Sequence, residues 1–191
     1  MEIGNAAYNL TLCHIVLGQL DQARISLAEA KTAFERNGSL PADILLLEAT
    51  VAQRQGRLEQ ALSLADEVLA VSSDLNHGVQ VALLKGTIAC DQNDPTRATI
   101  ALVEADKHRL SNAPLLAARE RLVGKILLLE KNPVAAAAAF DRAAALFQEA
   151  KHYRDMALTL QQAGEAYRKA GDTPRAEDRL FRAKRSLAAQ G

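Results

Sequence analysis

Cys13 and Cys90 are the only two cysteines and stand 77 positions apart, with no Cys-x-x-Cys spacing. That rules against a disulfide framework or a thiolate zinc site, and both thiols are expected as small apolar fillers near the ends of helices. The histidines, His14, His77, His108 and His152, are scattered along the chain. Glu104 and His108 share a helical face at i, i+4, but two groups make an incomplete zinc set, so a solvated face is expected there. His14 is expected inside a helix as a packed or hydrogen-bonded core residue. No Gly-x-Gly-x-x-Gly, phosphate-binding loop, His-Glu-x-x-His or Gly-x-Ser-x-Gly motif is present. No nucleophile and base stand at a spacing that pairs them. The residues therefore point away from an enzyme and imply no cofactor and no metal.

The elements that would have to position any site announce themselves by repetition. Five turn sequences recur, beginning at Gly18, Gly56, Asn93, Lys131 and Gly171 and ending five residues later on Ala23, Ala61, Ala98, Ala136 and Ala176. The alanines are separated by 38, 37, 38 and 40 residues. Each turn begins where a helical pattern of apolar residues stops, and glycine there permits the left-handed conformation that ends a helix. Asp94, Asn132 and Thr173 precede Pro95, Pro133 and Pro174, the pattern of a capping residue followed by proline in the first helical turn. Looser breaks are expected at Asn37-Gly38-Ser39, Ser72–Gly78, Ser111–Pro114 and Lys151–Asp155. Ten helices in five antiparallel pairs follow, with the small alanines admitting close helix contact and Leu27, Leu102, Phe140 and Leu180 filling space one turn later.

Composition agrees. The 191 residues are 49% hydrophobic, mostly Ala and Leu; aromatics are 4%, and β-branched types are few, which favours helix over strand. The 23 basic and 23 acidic residues cancel, which argues against a general nucleic-acid binder, since such proteins need excess positive charge to displace counterions. No apolar run reaches the length of a transmembrane helix, and no signal-peptide pattern opens the chain. The cytoplasm is the default location, with the periplasm or a membrane anchor expected instead if a signal was removed.

These features resemble the tetratricopeptide repeat. The last pair matches best, with Gly164, Tyr167, Ala176, Leu180 and Ala183 at the family's spacing; Gly124, Leu127, Ala136, Phe140 and Ala143 follow it, then Gly86, Ala89, Ala98, Leu102 and Ala105. Thr11 and Ala49 replace the glycine in the first two pairs, no Trp is present, and the late proline is replaced by Glu35, Ser73, Leu110, Gln148 and Ala188. Losing that proline fits periods longer than the family's 34 residues, as in lengthened bacterial-type repeats. The resemblance implies an all-α, right-handed superhelical solenoid over residues 1–191, with repeats near 4–37, 42–75, 79–112, 117–150 and 157–190.

It also implies a non-catalytic scaffold that binds a protein or peptide in a concave groove lined by the first helix of each pair. The register places Asn5, Tyr8, Asn9 and Leu12; Leu46, Thr50 and Gln53; Leu83 and Thr87; Arg121 and Lys125; and Gln161 and Glu165 on that side. An extended or helical peptide anchored on the apolar residues and steered by Arg121 and Lys125 fits the mixture. The competing reading is that Tyr8, Leu12, Leu46 and Leu83 only pack between helices. A regulatory segment of a larger signalling or transcription-control protein is one alternative function, and structural self-assembly another. Residues 1–76 carry ten acids and five bases, residues 151–191 five acids and nine bases. Arg175, Arg179 and Arg182 share a stripe that reads either as a patch for an acidic partner or as a solvated face. The first helix starts within a few residues of Met1 and the chain stops at Gly191, so both end faces are expected to lack capping helices. A missing N-terminal portion, a partner covering the first helix, or weak self-association would each satisfy them.

Overall fold

The structure is a computed structural model that describes residues 2–38, 40–108, 110 and 112–189. Ser39 and Ser111, inside two of the expected breaks, and Gln190, the last residue of the expected fifth repeat, lie outside them, as do Met1 and Gly191. Ten helices and no strand are found among the described residues. They are α1 (Glu2–Leu17), α2 (Leu20–Arg36), α3 (Ala42–Arg54), α4 (Leu58–Val71), α5 (Leu75–Asp91), α6 (Pro95–Asp106), α7 (Ala113–Leu129), α8 (Pro133–Glu149), α9 (Tyr153–Lys169) and α10 (Thr173–Ala188). The chain divides into two compact units, Met1–Lys85 and Gly86–Gly191.

The five recurring turns share one hydrogen-bond pattern. Gly18, Gly56 and Gly171 have φ of 71°, 75° and 81°, and Asn93 and Lys131 take φ of 60° at the matching places. The next amide reaches back five residues to a carbonyl at 2.9 Å in every case: Gln19 to His14, Arg57 to Ala52, Asp94 to Ala89, Asn132 to Leu127 and Asp172 to Tyr167. This left-handed closure satisfies carbonyls that the ending helix would otherwise leave bare. The same five residues then start the following helix, each accepting from the alanine four places on, at 2.8–3.1 Å. The residue whose amide closes one helix thus also starts the next, across a link of two residues in the first pair and three in the other four.

Side-chain caps reinforce three of these starts. Asp94 accepts from the Arg97 amide at 2.9 Å and Asn132 from Ala135 at 3.2 Å. In the last pair the cap is Asp172, accepting from Arg175 at 3.1 Å, rather than Thr173. Thr173 and Pro174 both lie inside the first turn, one residue later than expected, because the carboxylate at 172 outcompetes the hydroxyl beside it. The break expected over Ser72–Gly78 is shorter too: Asn76, His77 and Gly78 are helical, since Asp74 accepts from the Asn76 amide at 2.8 Å and starts α5 early.

All five matched alanines are buried: Ala23, Ala61, Ala98 and Ala136 are fully inaccessible and Ala176 is 4% exposed. The residues sixteen places before the following bulky position explain the rest of the register. A Cβ on Gly124 would fall 2.6 Å from the Phe140 ring, and one on Gly164 would fall 2.7 Å from Leu180. Where Thr11 replaces the glycine, its hydroxyl lies 2.9 Å from that of Ser26 across the α1–α2 contact, and both find backbone carbonyls as well. Where Ala49 replaces it, Ala65 stands in the bulky slot, so small pairs with small. Gly86 departs from this spacing: a Cβ there would fall 2.6 Å from Leu122 on α7 and 3.3 Å from Ala101, and Leu102, sixteen places on, is not among its nearest neighbours. In Met1–Lys85 the core gathers Ala7, Ile15, Ala23, Leu27, Ile44 and Val51; in Gly86–Gly191 a core cluster holds Ala136, Phe140, Ala163, Ala166 and Tyr167.

Candidate functional site

The candidate surface is the row of side chains expected along the first helices. Within Met1–Lys85 the row is uneven. On α1, Asn5 and Asn9 are exposed and Leu12 is 37% exposed, while Tyr8 is half-buried against the cluster around Ile44 and Leu47. Burial, and next the nearby Asp43 charge, push the Tyr8 phenol above its ordinary range. On α3, Leu46 is buried, Gln53 is half-buried, and Thr50 is half-buried with its hydroxyl donating to the Leu46 carbonyl at 2.9 Å. On α5, Leu83 is buried and Thr87 half-buried. Leu46 and Leu83 are thus buried, whereas Asn5, Asn9 and Leu12 present surface to solvent.

In Gly86–Gly191, Gln161 and Glu165 are exposed on α9. Arg121 and Lys125, two of the cations on α7, have carboxylate partners one repeat away in either direction. Lys125 Nζ lies 2.8 Å from Asp91 on α5, and Arg121 lies 3.4 Å from Asp155 on α9 with its guanidinium 5.2 Å from the Phe147 ring centroid. Both pairs are 34 residues apart, so they bridge successive first helices. Such half-buried pairs tie successive first helices to one another.

A second set of ties joins first helices to second helices, and second helices to one another. Arg119 makes two 2.8 Å bonds to Asp106, and Glu120 accepts from Arg119 and Arg142 at 2.7 Å each. Asp141 takes Arg179 through 2.7 and 3.0 Å bonds and the Tyr167 hydroxyl at 2.8 Å. Arg175 and Arg179 both lie over the Tyr167 ring, 5.7 and 5.8 Å from its centroid. Burial first, then the bond to Asp141, raises the Tyr167 phenol. Hence the expected arginine stripe is divided: Arg179 is held within the fold, and Arg175 covers an aromatic face.

Sequence reasoning found none of these networks. The signal that reveals the first set is opposite charge at one-repeat spacing, present in Asp91 with Lys125 and in Arg121 with Asp155.

Chemistry of a catalytic kind finds one arrangement to test. Ser72 Oγ lies 2.7 Å from His77 Nδ1, and His77 Nε2 lies 3.1 Å from Asp43. The Ser72 oxygen also accepts from the Asp74 amide at 3.2 Å. The order of groups is that of a serine–histidine–carboxylate relay. Its donors and acceptors are used locally, however: the serine oxygen serves as a turn acceptor, and the chain of bonds joins the α4–α5 link to the start of α3. Two clefts among the described residues lie on α1 and α2, with Ile3, Ala33 and Arg36 lining both.

The cysteines divide. Cys90 is buried, as expected, and burial pushes its thiol up to about 11. Cys13 is exposed, contrary to the filler role expected for it, because the side of α1 that carries it meets no other helix among the described residues. His14 is half-buried and bonds Gln19 at 2.8 Å in the turn, so it is hydrogen-bonded but not a core residue. Glu104 pairs with Lys107. No helix among the described residues is long and apolar enough to cross a membrane.

No family model matches the chain, and no curated protein matches it. Solved structures do. The crystal structure of BtubC (BKLC) from P. vanneervenii superposes with a TM-score of 0.59 at 23% identity, covering 98% of this chain and 82% of that one. PilF of Pseudomonas aeruginosa gives 0.54 at 21% identity, over 96% of this chain and 91% of that one. MamA (41-end) from Desulfovibrio magneticus RS-1 gives 0.53 at 16%, over 100% and 98%. Identities of this size speak for fold and not for partners, and the fold they share with this chain's helix pairs, buried alanines and left-handed turns is the tetratricopeptide-like solenoid.

Proposed function

We propose that the protein is a non-catalytic interaction scaffold that binds a peptide or a partner helix along the exposed side of its first helices. The observation that carries this reading is the open row on α1, where Asn5 and Asn9 offer amide donors and acceptors beside the partly exposed Leu12. Alternating amide and apolar groups on a preordered helix suit a bound backbone and its side chains, with little ordering cost. Gln161 and Glu165 on α9 present a second, more polar row. Within Gly86–Gly191, Arg121 and Lys125 would support that second row from α7, since each already meets a carboxylate.

The test is selection of binding peptides from a displayed random library against the full chain. Peptides so isolated should lose at least tenfold in affinity with Asn9→Ala combined with Leu12→Ala, both exposed enough to leave folding intact. Peptides that bind equally well to that double variant and to Gln161→Ala would refute the proposed surface.

A further inference from the structure

The face of α1 turned away from Thr11 and Ile15 carries Ile3, Ala6, Leu10, Cys13 and Leu17, all exposed. Their spacing of three and four residues is the a/d pattern of a coiled-coil seam, with large residues at a and small ones at d. The helix bears one carboxylate, Glu2, and no Lys or Arg in sixteen residues. Depletion of charge over an exposed apolar stripe is the composition of an interface core. Ile25 of α2 extends the patch beside Ile3 across a shallow cleft of about 600 Å³.

We propose that this stripe joins two copies of the chain as a two-fold dimer through antiparallel α1 helices. This inference is independent of the peptide-binding reading, which uses Asn5, Asn9 and Leu12. Three features select a second copy over another partner. Antiparallel pairing sets Leu10 against Cys13 of the second copy and Leu17 against Ala6, so large meets small in each layer, which parallel pairing would not achieve. The exposed charged groups around the patch include Glu2, Asp21 and Glu29 with Arg24 and Arg36, so both signs are present and a second copy finds opposite charges to face. Ile3 is 78% exposed, and Leu10, Leu17 and Ile25 are each about half exposed. With Ala6 and Cys13 they offer roughly 400–500 Å² of apolar surface, about the apolar share of the ~800 Å² per partner that a stable interface buries.

The antiparallel register leaves the two Cys13 thiols one layer apart, within reach of a short bis-maleimide, while Cys90 is buried. The full chain should sediment as a dimer and yield a covalent dimer with that reagent. Leu10→Glu should sediment as a monomer with at least tenfold less cross-linking and unchanged helical circular dichroism. Cys13→Ser should abolish cross-linking yet keep the dimer mass. Should Leu10→Glu perturb folding, Leu17→Lys, near the other end of the stripe, serves in its place. A monomer over the whole accessible concentration range, a dimer that survives both charge substitutions, or open-ended larger species would each overturn the proposal.

Discussion

Gly124→Ala tests the packing logic most sharply. The added methyl would stand 2.6, 2.7 and 2.9 Å from three atoms of the Phe140 ring, and Phe140 is completely buried, so the ring has nowhere to turn. Overpacking of this kind costs roughly 1–3 kcal/mol, against which the better helix propensity of alanine returns about 1 kcal/mol. A net loss of up to about 2 kcal/mol, a fall of up to about 8 °C in melting temperature for a chain of this size, is expected. In a Phe140→Ala background the clash is gone and only the propensity remains, so the same substitution should stabilise by up to about 1 kcal/mol. That double variant recreates the Ala49 and Ala65 combination already present in the second pair. Gly78→Ala is the control, since a Cβ there meets nothing within 4 Å, and it should raise stability by roughly 0.5–1 kcal/mol. Thermal and urea unfolding of the four proteins closes the cycle. If Gly124→Ala cost the same with Phe140 present and absent, the ring would not be what excludes a side chain at 124.

Ala176→Leu should destabilise by roughly 1–3 kcal/mol in urea unfolding, because the methyl it enlarges is buried at the start of α10. Arg179→Ala should cost roughly 1–3 kcal/mol by the same measurement, since it strips the Asp141 carboxylate of two bonds and uncovers Tyr167. The Cys90 thiol, held up at about 11 by burial, has an unfolded counterpart near 8.5. The native state therefore keeps a proton that the unfolded chain releases, and this contribution is complete below pH ~8.5 and lost as pH rises towards 11. Cys90→Ala should accordingly lose less stability than the parent between pH ~8 and ~10.5, whereas equal losses would remove burial of the thiol as the cause.

The helix pairs were legible because the turns that make them carry local chemistry. A left-handed residue, a cap and an alanine at fixed offsets report on a few consecutive residues, and each leaves its mark in residue type. Asn93 and Lys131 pay the strain of a left-handed conformation that Gly18 avoids, yet their turns close alike, so position in the repeat outweighs residue preference. What the sequence hid depends on which side of a helix finds a neighbour. Helix α1 has two apolar stripes, one through Ala7 and Ile15 and one through Leu10 and Cys13, and periodicity alone cannot say which is covered. For the same reason the register that places Leu46 and Leu83 on the groove side does not by itself reveal that both are buried. The ionic ties were missed because Arg121, Lys125 and Arg179 were read helix by helix, while their partners stand about one repeat away.

The claim beneath all of this is that five equivalent alanine methyls sit at the closest helix contacts. Methyl-labelled alanine spectra recorded with a soluble paramagnetic agent read that directly. Ala23, Ala61, Ala98, Ala136 and Ala176 should keep their signals while the exposed Ala70, Ala138 and Ala188 broaden away. Broadening of any of the five to the level of those three would contradict the register on which the account rests.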